Sequence, residues 1–140
     1  MKIKKLILIN DTSQLEKLAV FLEDTAIEWN IPVKDSMNLN LVLEELFTNI
    51  IFYGYDDNQL HEIPVQLSLD NGLITITIED DGREFNPLLV PEPDRAAELN
   101  DRKIGGLGIY FVRKFTDDIN YQRLNHKNIL TLRKEISISN

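Results

Sequence analysis

The sequence predicts an α+β fold: a two-layer sandwich with helices over one face of a β-sheet, in the order β-α-α-β-β-α-β-β. Two observations carry this. Apolar and polar residues alternate in paired runs joined by turn sequences, and other stretches carry apolar residues at helical spacing. Strand pairs beside a few amphipathic helices bury their apolar faces in two layers. The chain has 140 residues, so one domain spanning 1–140 is expected, and a core of useful size can form.

Residues 3–9 are β-rich and form the expected first strand. Ser13-Gln14-Leu15-Glu16 has capping-box form, in which Ser13 takes an orphan amide and Glu16 reaches back. Leu15, Leu18, Leu22, Ala26 and Trp29 follow at helical spacing, and Ile31-Pro32 ends this helix. A second helix is expected from Asp35 or Ser36 to about Tyr53, with Gly54 as its stop. Ile63, Val65, Leu67 and Leu69 alternate with polar residues, as do Ile74, Ile76 and Ile78. Asp70-Asn71-Gly72 between them is a hairpin turn, because Asn and Gly tolerate positive φ. Pro64 marks a strand start or a free edge. Over 82–104 the periodicity dissolves into a long loop with three prolines, and a short helix is expected around 95–100. Loops of this length commonly act as lids. Residues 105–108 lead into a third helix with Val112 and Phe115 inward. Residues 119–124 and 129–136 form a second hairpin, turning at 125–128.

The net charge of −8 disfavours nonspecific nucleic-acid binding, which needs basic surface. A small anion held by backbone amides stays compatible with it. The chain has no cysteine, which excludes disulfides and thiolate zinc sites and fits a cytoplasmic protein. The apolar run at 6–9 is too short for a signal-peptide core, and no run is long enough to span a membrane.

Three patches carry chemistry. At about 100° per residue, with Leu46 at the centre of the buried stripe, Leu39, Leu43, Ile50 and Tyr53 fall close to it. Glu44 then faces solvent. Glu45 falls at the stripe's edge, with Asn49 beside it on the same flank. Taken alone, the pair reads as boundary residues satisfied by backbone or water. In the strand ending Ile78-Glu79-Asp80, period two places Asp80 on the inward face with the isoleucines. A buried carboxylate is costly unless paired or bound to a ligand, so Asp80 either caps the turn at Gly82 or reads a ligand. Finally, Lys103-Ile104-Gly105-Gly106-Leu107-Gly108 opens a helix, where free amides favour an anion. A hinge before the helix is the structural alternative.

Together, the boxes Glu45-Leu46-Phe47-Thr48-Asn49, Asp80-Asp81-Gly82 and Gly105-Gly106-Leu107-Gly108 resemble those of the Bergerat-fold (GHKL) ATPases. These include gyrase, the ninety-kilodalton heat-shock chaperone, sensor histidine kinases and MutL proteins. The resemblance is strongest to the small bacterial anti-sigma factors that are serine/threonine protein kinases. In that subgroup the first box is followed by a small residue and Tyr, as by Gly54-Tyr55 here, and Phe85 follows the second box. The resemblance covers nearly the whole chain and implies a Bergerat-type mixed sheet. It implies that Asp80 accepts from the adenine amino group and that Gly82 lets the backbone pass close to the base. It makes Asn49 a magnesium ligand and Glu45 the general base. Gly105, Gly106, Leu107 and Gly108 would hold the phosphates, with an ATP lid at about 83–104. Lys103 would add charge there, or is a solvated loop lysine.

The implied cofactors are ATP and Mg2+. The implied function is an anti-sigma regulatory factor that phosphorylates an anti-sigma antagonist and sequesters a sigma factor. The resembling family forms homodimers; no direct nucleic-acid or membrane contact is expected. Phosphoryl transfer rests on positioning and electrostatics, which a base and a metal ligand on one helical flank supply. The chain departs from the family at Tyr53, where histidine is usual, and at Glu84, which replaces the second glycine of D-x-G-x-G. Two alternatives stay open. One is a nucleotide-binding module with little or no turnover; the other is a detached histidine-kinase catalytic domain. The last lacks a dimerisation helix with an accepting histidine: His61 lies at a strand start and His126 in a turn.

Overall fold

The computed structural model describes residues 1–89 and 106–136. The elements run β1 (Lys2–Ile9), α1 (Gln14–Glu28), α2 (Val33–Tyr53), β2 (Glu62–Asp70), β3 (Leu73–Asp80), a 3-10 turn (Pro87–Leu89), α3 (Gly106–Phe115), β4 (Asp118–Leu124) and β5 (Lys127–Glu135). The expected α+β order is observed. The expected short helix at 95–100 lies outside the described residues.

The strands form one sheet in the order β1-β2-β3-β5-β4. Among the described residues every pairing is antiparallel, so the sheet there is not the mixed one that the resemblance implied. The described strands are joined as hairpins or enter after helices that return the chain antiparallel. Both hairpins turn through two residues of positive φ: Asn71 and Gly72, then Asn125 and His126. That geometry matches the twist of the flanking strands. The second turn is therefore shorter than 125–128, and Asn128 belongs to β5. Pairing of β2 with β3 begins only at Val65, leaving Pro64 where that edge is free.

Helix boundaries follow local chemistry. The Ser13 side chain makes no capping bond, contrary to the capping-box expectation. Instead the Ser13 N–H donates to the Asp11 carboxylate at 3.0 Å, an Asx turn that holds Ser13 out of capping position. The first helix ends before Ile31-Pro32. Asn30 adopts φ 56°, and Ile31 N–H donates to Ala26 O at 2.9 Å, closing the last turn. The second helix starts at Val33, two residues early, because Pro32 in extended conformation already serves as its N-cap. Gly54 ends it without a left-handed turn, at φ −82° and ψ −27°. Glycine is needed there because an added Cβ would lie 2.5 Å from Ile50 O.

The helix-facing side of the sheet is a set of cross-strand rows. Leu67, Ile76, Leu132 and Ile119 form one; Val65, Ile78, Leu130 and Tyr121 form the next. The core closes over them with Leu39, Val42, Leu43, Leu46 and Phe47 of α2, and Leu18 and Leu22 of α1. Val112 of α3 is buried in the same cluster, and Phe115 packs against it, as expected. No helix among the described residues is long and apolar enough to cross a membrane.

Candidate active site

At one end of the sheet the apolar rows give way to a polar one. Asp80 on β3 pairs with Asn128 on β5, which pairs with Arg123 on β4. Asp80 is 5% exposed, as the strand's alternation predicts. Its Oδ1 accepts from the Gly82 N–H at 2.9 Å and from Asn128 Nδ2 at 3.0 Å. Among the described residues its Oδ2 accepts no hydrogen bond. Burial pushes the Asp80 carboxyl above its ordinary range, against the pull of Asn128, the Gly82 amide and Arg123.

Gly82 is where backbone meets backbone. A Cβ there would lie 2.7 Å from Gly54 O and 3.0 Å from Asp80 Oδ1. Gly54 O instead accepts from the Arg83 N–H at 2.9 Å. The end of α2 and the exit of β3 are thus fastened together.

The α2 flank supplies the second wall. Its buried positions span about 160° of the circumference at ~100° per residue, with Asn49 at one rim and Phe47 at the other. Asn49 is 4% exposed, and among the described residues its buried Oδ1 has no hydrogen-bond partner. An oxygen left so is expensive unless a ligand completes it. Glu44 is exposed and Glu45 half-buried, as the helical spacing predicts. Burial, then the neighbouring Glu44 charge, raises the Glu45 carboxyl pKa. Tyr53 departs from expectation: it is 40% exposed, because the last turn of α2 overhangs the core.

These groups line one cavity of about 40 Å³, with Asn49, Tyr53, Asp80, Phe85, Tyr121 and Asn128 on its walls. Glu45 does not line it. Gly106, Leu107 and Gly108 open α3, while Lys103, Gly105 and most of the expected lid at 83–104 lie outside the described residues. The chain just after β3 is anchored: Gly82 O accepts from Arg123, Arg83 O from Asn128, and Leu88 O from Arg113.

The sequence matches the model of the histidine kinase-like ATPase domain over residues 8–134. The chain belongs to that family. Among ATPase-domain relatives, it is 28% identical over 130 residues to the serine/threonine-protein kinase BtrW of Bordetella bronchiseptica, covering 87% of this chain and 91% of that one. It is 25% identical over 112 residues to the anti-sigma F factor of Heyndrickxia coagulans, covering 78% and 76%. The fold is shared with the RsbU and RsbW domains of a Mycobacterium tuberculosis protein, at TM-score 0.70 and 12% identity. That match covers 97% of this chain and 33% of the other, so the chain spans a third of that structure. SiaB-SiaC of Pseudomonas aeruginosa matches at TM-score 0.57 and 16% identity, covering 94% and 89%.

Within this ATPase domain, sequence reasoning missed Asn128, Tyr121 and Arg123. Asn128 continues β5's alternation back from Leu132 and Leu130, but only the observed turn places it in the strand. It also missed a cluster on the outer side of Gly82. There Tyr55 stacks on His61 with ring centroids 4.0 Å apart, and its hydroxyl donates to Asp81 at 2.9 Å. His61 lies 2.8 Å from Asp57 and 3.1 Å from Asp81. Its limited burial opposes the charged form, but the bonds to both aspartates outweigh this and raise its pKa.

Proposed function

We propose that this chain binds ATP with magnesium between α2, β3 and the β4–β5 hairpin, and transfers the γ-phosphate to a serine or threonine of a partner protein. The partner is an anti-sigma antagonist, and the unphosphorylated antagonist competes with a sigma factor that the chain sequesters. The observation that carries this is the buried Asn49 Oδ1, which has no partner among the described residues and lies one helical turn from the half-buried Glu45. A neutral carbonyl oxygen suits magnesium, which prefers hard oxygen ligands and keeps substrate phosphates in its shell. The residues present therefore fit the ion, which would supply charge neutralisation at the phosphates. Asp80 would accept from the adenine amino group with its unbonded oxygen. Glu45, its pKa raised by burial, would take the proton of the attacking hydroxyl. The names of the relatives, a serine/threonine kinase and anti-sigma F factors, support the partner class.

The test mixes the chain with magnesium, ATP labelled at the γ-phosphate, and a purified candidate antagonist. Phosphoserine or phosphothreonine should appear on the antagonist and vanish with Glu45→Gln while ATP still binds. ATP binding without any phosphate on the partner favours instead a regulatory module with little turnover. Tyr53 on the cavity wall, where the resembling family has histidine, is the observation behind that second reading.

A further inference from the structure

We propose that Asn128 is a positioning residue that holds Asp80 with one carboxylate oxygen free for an exocyclic amino group, and so sets the base preference of the site. The inference rests on the nucleotide reading above and deepens it.

Asn128 is 6% exposed, and its amide is fully used. Nδ2 donates to Asp80 Oδ1 at 3.0 Å and to Arg83 O at 2.8 Å. Its Oδ1 accepts from the Tyr121 hydroxyl at 2.5 Å and from the Phe85 N–H at 3.3 Å. A primary amide has two donors and an oxygen with two lone pairs, and all four are satisfied. That pattern fixes the orientation. Turned over, the oxygen would face two acceptors and the NH2 group a backbone donor.

The consequence falls on Asp80. With Oδ1 occupied by Asn128 and the Gly82 amide, Oδ2 is the oxygen left for a ligand. An ionised carboxylate only accepts, which suits the amino group of adenine. Hypoxanthine has a carbonyl oxygen at that place and is rejected. A protonated carboxyl would donate to that oxygen and lose the distinction. Base preference therefore depends on keeping Asp80 ionised against its burial.

Among the described residues, charged and titratable groups stand around Asp80 on several elements, with Arg83 lining the same cavity. Arg123 of β4 pulls its pKa down, and Asp81 beside it pushes it up. Tyr55 and Tyr121 also feel its charge. Asn128 and the Gly82 amide are the direct donors. Asn128 also holds Arg83 and Phe85, so one amide fixes both the carboxylate and the chain leaving β3.

The experiment measures ADP and IDP affinity for wild type and Asn128→Asp at about pH 6 and pH 8. The substitution is nearly isosteric and sets a carboxyl oxygen against Asp80, so that the pair holds a proton between them. Wild type should prefer ADP by about tenfold or more at both pH values. With that proton in place the new carboxyl donates to Asp80 Oδ1 as the amide did, so the variant's preference should stay near wild type at pH 6. As the shared proton leaves, the two carboxylates repel, Asp80 is no longer held, and the preference should shrink to roughly threefold or less at pH 8. A merely structural role would weaken both nucleotides equally at either pH. An ADP-to-IDP ratio unchanged from wild type at both pH values overturns the proposal. Binding of neither nucleotide by wild type overturns the nucleotide reading itself. Should Asn128→Asp fail to fold, Tyr121→Phe removes only the hydroxyl that holds the amide oxygen. It should narrow the same ratio at pH 6, and an unchanged ratio there counts against the proposal.

Discussion

Two buried polar side chains at this site are poor for stability, and each has a separable consequence. Among the described residues Asn49 Oδ1 is buried and unpartnered, so the folded state gains nothing from it. Asn49→Ala should leave unfolding free energy in urea within about 1 kcal/mol of wild type. The same variant should lose the magnesium dependence of nucleotide binding in a calorimetric titration. Asp80 is the charged counterpart. Its folded pKa lies above the ordinary carboxylate value, so folding favours the protonated form. The penalty is absent below the unfolded pKa, grows as pH rises from there, and is complete only above the folded one. Asp80→Asn keeps an oxygen for the Gly82 and Asn128 donors and removes the charge. It should be more stable than wild type at pH 7 and equal to it in strong acid, while failing to bind ATP. Urea unfolding at both pH values decides this, and a less stable variant at pH 7 contradicts it.

At the scale of elements, the site exists because the end of α2 and the end of β3 touch through two glycines. Gly82 has no positive φ; its requirement is room. Gly82→Ala forces a Cβ against Gly54 O and must part the two elements, breaking the bond from Arg83 N–H to Gly54 O. Overpacking of this kind costs about 1–3 kcal/mol, and nucleotide affinity should fall with it. Thermal unfolding and a titration on the same preparation read both losses. The strands and the turn at Asn71-Gly72 were legible in the sequence, because alternation and turn chemistry are local. Asp80 and the Glu44–Glu45 division were legible for the same reason: period two and period 3.6 place them. Asn128 was not. Its segment contains two asparagines, Asn125 and Asn128, and only the observed turn assigns one to the bend and the other to the strand. Nor does local pattern reveal that Asp80, Asn128 and Arg123 share a row, since that depends on register between strands distant in sequence. Tyr53 was misplaced because helical spacing gives a direction but not where the core ends.

At the scale of the whole molecule, the polar row, the α2 flank and the glycine contact converge from elements that are far apart in the chain. A ligand bridging Asp80 and Asn49 would bind only where β3 and α2 are both in place, so binding is linked to folding. For a ligand that binds the folded state alone, a concentration 100-fold above Kd adds about 2.7 kcal/mol. At roughly 3 °C per kcal/mol for a domain near this size, magnesium with ADP should raise Tm by about 8 °C. ADP with a chelator should raise it less, because the phosphates then lack the metal that Asn49 would share on the proposed reading. Magnesium alone should do little, since a single neutral oxygen makes a weak site without phosphate partners. Asp80→Asn should start from a higher Tm at neutral pH and show no ADP shift. That crossing of baseline and response separates a lost ligand contact from a damaged fold. An equal ADP shift in both proteins would place the nucleotide elsewhere on the molecule.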